Sequence, residues 1–222
     1  NGVDPTQING FIKSAPTYWG DQPFTGGPIY GGVILVFLAI LGFWAAPKES
    51  LIAFGVIIIF SLMLSWGKNL AWFNYLLFDV LPGYNKFRAV SMALGMTLFA
   101  IPVLGMISLE RLVQKGDLKP SKAWLGMHYS ESCAIVGGLV LLLAIASGAF
   151  FRFEGAVDSS LPDWLASALQ KDRKAMLSAS AWKSFGLIAA AFALVYFRIK
   201  GKISDMILGA ALILLVSIDL WS

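Results

Sequence analysis

Three cations bracket an aromatic stretch of this chain. Lys68 lies in Ser65-Trp66-Gly67-Lys68-Asn69, and Lys86 and Arg88 close the segment Pro82-Gly83-Tyr84-Asn85-Lys86-Phe87-Arg88. Arginine offers a planar fork of donors and lysine a compact point charge, and both bind phosphate. Between them stand Trp72, Phe73, Tyr75 and Phe78, with Asp79 placed to cap a helix or to pair with Lys86 or Arg88. A second polar and aromatic group, Tyr18-Trp19-Gly20-Asp21-Gln22-Pro23-Phe24, sets a carboxylate beside an indole and an amide. Asp21 has the chemistry of a general base or of an acceptor for a sugar hydroxyl, and it equally suits a turn with Gly20 and no further role. The cations also suit ordinary headgroup contact with snorkelling, and the rings a plain membrane-interface belt.

Other chemistries lack their residues. The chain carries no dinucleotide-binding glycine loop, no phosphate-binding P-loop, no paired-histidine zinc motif and no serine elbow. His128 is the single histidine, so a histidine-based metal cluster is unavailable. Cys133 is the single cysteine, lies in an apolar run and permits no intrachain disulfide. The formal charge of +4 is spread over short links with no basic run, which argues against a nucleic-acid partner.

The elements that must position these groups are membrane helices. Hydrophobic residues make up 58% of the 222 and charged residues only 14%, with a mean hydropathy of +0.74. A water-soluble domain is about 45–50% apolar and about 25% charged, so this chain has too little polar surface to cover a core. The expected fold is all-α: a polytopic transmembrane helical bundle of about six spans with outward-facing interfacial helices. Residues 1–27 read as an outward loop and 28–222 as the transmembrane domain. Spans are expected near 28–46, 51–66, 89–109, 132–151, 184–197 and 206–220, with Pro102 kinking the third. Interfacial helices are expected near 70–81 and 161–177. The first is too short to cross and too aromatic for a free loop, and Pro82-Gly83 ends it; the second opens at Pro162 and is amphipathic.

Charge sets the orientation. The links at 47–50, 110–131 and 198–205 hold Lys48, Arg111, Lys115, Lys119, Lys122, Arg198, Lys200 and Lys202, so that side is expected in the cytoplasm. Segments 1–27, 65–88 and 152–183 then face outward, and the working face with them. Almost no ionisable residue falls inside the six runs, which argues against ion-coupled transport.

Three segments, in order and with the expected spans between them, resemble the YfhO family of bacterial membrane proteins in the form common in Bacteroidetes-type bacteria. They are Tyr18-Trp19-Gly20-Asp21-Gln22-Pro23-Phe24-Thr25-Gly26-Gly27-Pro28-Ile29-Tyr30, Ser65-Trp66-Gly67-Lys68-Asn69, and Leu77-Phe78-Asp79-Val80-Leu81-Pro82-Gly83-Tyr84-Asn85-Lys86-Phe87-Arg88-Ala89. Leu161-Pro162-Asp163-Trp164-Leu165 and Ile218-Asp219-Leu220-Trp221 also fit, so the resemblance covers nearly the whole chain. It implies a GT-C type glycosyltransferase of the bacterial inner membrane. Such an enzyme takes sugar from a polyprenyl-phosphate donor and transfers it on the periplasmic face to an envelope polymer, lipid or protein. The implied partners are membrane lipids, the lipid-linked donor and other members of an envelope complex. No cofactor is implied, with a divalent metal left open.

On this resemblance Lys68, Lys86 and Arg88 hold the donor phosphate, where fixed cations stabilise leaving-group charge. Tyr18, Trp19, Asp21, Gln22, Asn69, Tyr84 and Asn85 line the sugar or acceptor side. One departure concerns catalysis. The family's catalytic aspartate follows its first membrane helix, a region expected upstream of Asn1, and Asp21 does not simply inherit that role. The chain is therefore expected to be an internal portion of a longer protein, inactive alone. Two other readings stay open: a non-catalytic scaffold or accessory subunit of an envelope complex, and a transporter of lipid-linked glycans.

Overall fold

The computed structural model describes residues 29–80, 82–86, 90–115, 137–138, 140–142, 145–146, 151–155 and 158–221. These residues form helices joined by turns, with no β-strand among them. The α-helices are α1 (Val33–Ile40), α2 (Gly42–Ala45), α3 (Lys48–Ser65), α4 (Ala71–Val80), α5 (Leu94–Lys115), α6 (Asp163–Ile199) and α7 (Asp205–Trp221). Short 3-10 turns cover Gly67–Leu70, Tyr84–Lys86, Val90–Ala93 and Asp158–Ser160.

By length and composition, the stretches Lys48–Ser65, Ser91–Gln114 and Asp163–Ile199 are each able to cross a membrane. Only 11% of the apolar window in Lys48–Ser65 is buried inside the protein, so most of its apolar surface is left for another medium to cover. The expected 1–27 loop lies outside the described residues, as does most of the 132–151 span.

Pro28–Val140 and Lys183–Ser222 form one compact unit. Its core is built around α1 and α2: Ile34, Phe37, Leu38, Leu41 and Ala45 pack with Leu112 of α5, Ile188, Ala191 and Val195 of α6, and Leu208 and Leu212 of α7. Two glycines set the helix spacing. A Cβ on Gly105 would stand 3.2 Å from the Leu35 carbonyl oxygen, and one on Gly42 would stand 2.7 Å from Ser108 Oγ. Small residues at such points let helix backbones approach. Ser61 and Thr97, both buried, join α3 to α5 through their hydroxyls. Pro102 sits within a continuous α5.

The second unit comprises Asn1–Gly27 and Leu141–Trp182. Its described part includes the loop 151–155, the turn Asp158–Ser160 and the first half of α6. Pro162 precedes α6 and its carbonyl receives the Leu165 and Ala166 N–H groups.

In the expected 28–46 run α1 and α2 meet at Leu41, whose backbone stays right-handed helical and whose N–H reaches the Phe37 carbonyl at 3.1 Å. One expected boundary is absent. The interfacial helix near 161–177 and the span near 184–197 are one helix, α6. The reason is local: from Asp163 to Phe185 the sequence has neither proline nor glycine, so a change from polar to apolar pattern leaves the hydrogen-bond ladder intact.

Candidate functional site

The stretch from Ser65 to Lys86 folds into a small, internally tied shelf. Helix α3 runs out at Ser65, whose Oγ donates to the Leu62 carbonyl at 2.7 Å. Gly67 then takes a φ of +50°, a left-handed value that a Cβ would oppose, and the chain tightens into the 3-10 turn bearing Lys68 and Asn69. Helix α4 follows and ends before Pro82-Gly83. Gly83 has φ +84° and receives the Lys86 N–H on its carbonyl at 3.0 Å, closing the turn that bears Tyr84 and Lys86.

One side chain ties these pieces together. Asn74 of α4 donates from Nδ2 to the Gly67 carbonyl at 3.1 Å and the Leu70 carbonyl at 3.3 Å. Its Oδ1 accepts the Tyr84 hydroxyl at 2.6 Å. The turn next to Lys68 and the turn next to Lys86 are thus both fastened to the middle of α4. Burial pushes the Tyr84 phenol above its ordinary value of 10.0. Helix α4 is apolar except for Asn74 and Asp79. Phe73 meets Phe60 of α3 edge to face at 5.9 Å, whereas Trp72, Tyr75 and Phe78 are exposed. Lys68, Asn69 and Lys86 are exposed as well.

Of the residues singled out in the sequence, the structure therefore places Lys68, Asn69, Tyr84 and Lys86 on one shelf. Tyr18, Trp19, Asp21, Gln22 and Arg88 lie outside the described residues, as does the side chain of Asn85. Asp79 is exposed and makes no ion pair among the described residues. Among those residues, no three of His, Cys, Asp and Glu cluster as a metal site would require.

Three polar centres were not legible beforehand. Asn74 is the first. The second is Asp219 on α7, 1% exposed, which accepts the Tyr30 hydroxyl at 2.5 Å and the Ile34 N–H at 3.3 Å. Helix α1 has no side-chain cap of its own, and Gly32 before it has φ +77°. Asp219 thus supplies, from another helix, the acceptor that an N-terminus needs. A carboxylate inside an apolar run, Ile218-Asp219-Leu220, was the available signal. The third is Arg173 on α6, 1% exposed. It makes a two-pronged ion pair with Asp158, Nη1 to Oδ2 at 2.6 Å and Nη2 to Oδ1 at 2.9 Å, and donates to the Phe153 carbonyl at 2.8 Å. The guanidinium holds the Asp158 carboxyl below its ordinary value of 3.8.

The shelf thus offers two cations and an exposed aromatic face on one tied scaffold, a combination suited to an anion at a lipid surface. The chain matches no protein-family profile, no curated protein and no solved structure.

Proposed function

We propose that this chain is membrane-embedded machinery of a glycosyltransferase that draws sugar from a polyprenyl-phosphate donor. In this reading the shelf faces the periplasm in a six-span topology of the bacterial inner membrane. Lys68 and Lys86 receive the donor phosphate. Arg88 joins them, and Asn69, Tyr84 and Asn85 line the sugar side with Tyr18, Trp19, Asp21 and Gln22. The observation that carries the reading is the Asn74 tie, which fastens the two lysine-bearing turns to a helix whose outer face is aromatic. A lipid-dissolved donor needs that pairing: rings to settle at the headgroup level and fixed cations for the charge left on its phosphate. Transport is less well supported. The buried Asp219 carboxylate is occupied by the Tyr30 hydroxyl and the Ile34 N–H, whereas an ion pathway needs an ionisable group free to exchange its partner.

The test is sugar transfer in membranes from cells making the protein, with radiolabelled polyprenyl-phosphate sugar as donor. The K68Q/K86Q variant is expected to lose transfer at least tenfold while keeping wild-type helix content. Charge-assisted phosphate contacts are worth about 1.5–3 kcal/mol each when dry, and exposure reduces that to roughly 1 kcal/mol each. Normal transfer by the double variant would remove the phosphate role. Absence of transfer by the wild type from every polyprenyl-phosphate sugar would remove the enzyme reading itself.

A further inference from the structure

A groove on the Leu141–Trp182 unit uses none of the residues above. It is an open depression of about 510 Å³, lined by Phe151, Arg152 and Glu154 of the loop and by Ser167, Gln170, Lys171 and Lys174 of α6. The volume suits a small organic ligand. Its helical wall is a single stripe: Ser167, Gln170, Lys171 and Lys174 recur three and four residues apart, so they share one face of α6.

The charge in this groove is one-sided. Among the described residues, Arg152, Lys171 and Lys174 line the groove with one carboxylate, Glu154, and none of the three cations makes an ion pair. Lys171 and Lys174 are neighbours on the helix surface, and like charges at that spacing repel. An anion between them relieves that repulsion. The polar groups beside them suit hydroxyls. Ser167 Oγ already donates to the Trp164 carbonyl at 2.9 Å, which leaves its oxygen to accept, and the Gln170 amide both donates and accepts.

The opposite wall is built, not casual. Phe153 holds φ +56°, the only positive φ outside glycine among the described residues. The buried Arg173 fixes it there through the Phe153 carbonyl, and Asp158 accepts the Gly155 N–H at 2.8 Å. A Cβ on Gly155 would stand 2.8 Å from Arg173 Nη2, so the loop closes fully onto the guanidinium. Backbone held in a costly conformation by its surroundings marks a segment whose shape is required. Here that shape aims Arg152 and the exposed ring of Phe151 into the groove.

We infer that this groove binds a phosphate group borne on a polyhydroxylated compound, with Arg152, Lys171 and Lys174 on the phosphate and Ser167 and Gln170 on hydroxyls. Two sources share that chemistry: a soluble sugar phosphate and a phospholipid headgroup.

The full chain in detergent micelles is titrated with glucose 6-phosphate, with glucose as the uncharged control. In a second arm it is placed in nanodiscs of phosphatidylglycerol or phosphatidylcholine, and hydrogen exchange of residues 151–155 is followed. Saturable binding of glucose 6-phosphate but not glucose is expected. K171Q/K174Q should weaken it at least tenfold, and E154Q should tighten it at least twofold, a gain that misfolding cannot produce. Protection of 151–155 in phosphatidylglycerol alone, abolished by K171Q/K174Q, with no soluble binding, assigns the phosphate to a lipid. The inference is overturned if glucose 6-phosphate fails to bind and the two nanodiscs behave alike, or if K171Q/K174Q changes neither readout.

Discussion

Replacing Arg173 with methionine keeps an aliphatic stem in place and removes the charge that holds Phe153 and Asp158 against α6. Among the described residues, three hydrogen bonds go with it: two to Asp158 and one to the Phe153 carbonyl. Breaking a fully buried ion pair costs about 3–5 kcal/mol. Asp158 retains the Gly155 N–H and is 9% exposed, so part of its charge stays satisfied. That leaves about 2–3 kcal/mol, the scale of charged hydrogen bonds. At 1.4 kcal/mol per tenfold, the clamp should open roughly 30- to 150-fold more often. Hydrogen exchange read by mass spectrometry measures this directly on peptides spanning 151–160, because local opening sets the rate. The effect should be confined to that unit. The sign of the pH effect follows from the lowered Asp158 pKa. Its stabilisation is complete above the ordinary carboxylate value of 3.8 and is lost as pH falls below it through the folded value. Wild-type protection of 151–160 should therefore decline below about pH 3.8, relative to intrinsic rates, whereas R173M should show no such decline. Protection in R173M within twofold of wild type at neutral pH would refute the clamp.

Two further outcomes are expected. Y84F removes the hydroxyl that Asn74 accepts, at a cost of about 1 kcal/mol measured by chemical denaturation in micelles. Because burial raises the Tyr84 pKa, the wild-type advantage should be whole below pH 10.0 and fade as pH rises above it, while Y84F stays flat. G42A should destabilise the Pro28–Val140 and Lys183–Ser222 unit by about 1–3 kcal/mol, since its Cβ falls 2.7 Å from Ser108 Oγ. G42A/S108A should recover part of that loss, and strict additivity of the two changes would count against the contact.

Legibility in the sequence followed the range of the interaction. Helix α4 was expected near 70–81 and occupies Ala71–Val80, because Pro82-Gly83 is a local stop. The all-helical class followed from composition; about six spans were expected, and three of the described helices are long and apolar enough to cross a membrane. The boundary expected between 177 and 184 is absent for an equally local reason: the polarity changes there, but no proline or glycine interrupts the ladder. The shelf was legible as a cluster of cations and aromatics, since these are adjacent in sequence. Its fastening was not. Asn74 reaches Gly67, Leu70 and Tyr84 through geometry that spacing alone does not specify, and an asparagine among aromatics announces no partner. Arg173 and Asp158 looked like two charges in a polar segment. Only the left-handed Phe153 and the space left by Gly155 turn them into a buried clamp, and neither is encoded as a recognisable pattern.

The Asp219 contact with α1 has a consequence for the order in which the protein is made. The acceptor for the Ile34 N–H lies 185 residues further along the chain. A ribosome adds about 5–20 residues per second, so roughly 10 to 40 s separate the synthesis of the amide from that of its partner. For that interval the first turn of α1 must find another acceptor, from water, from the translocation machinery or from a neighbouring backbone. The core helix of this unit is therefore synthesised well before the partner that completes its hydrogen bonds.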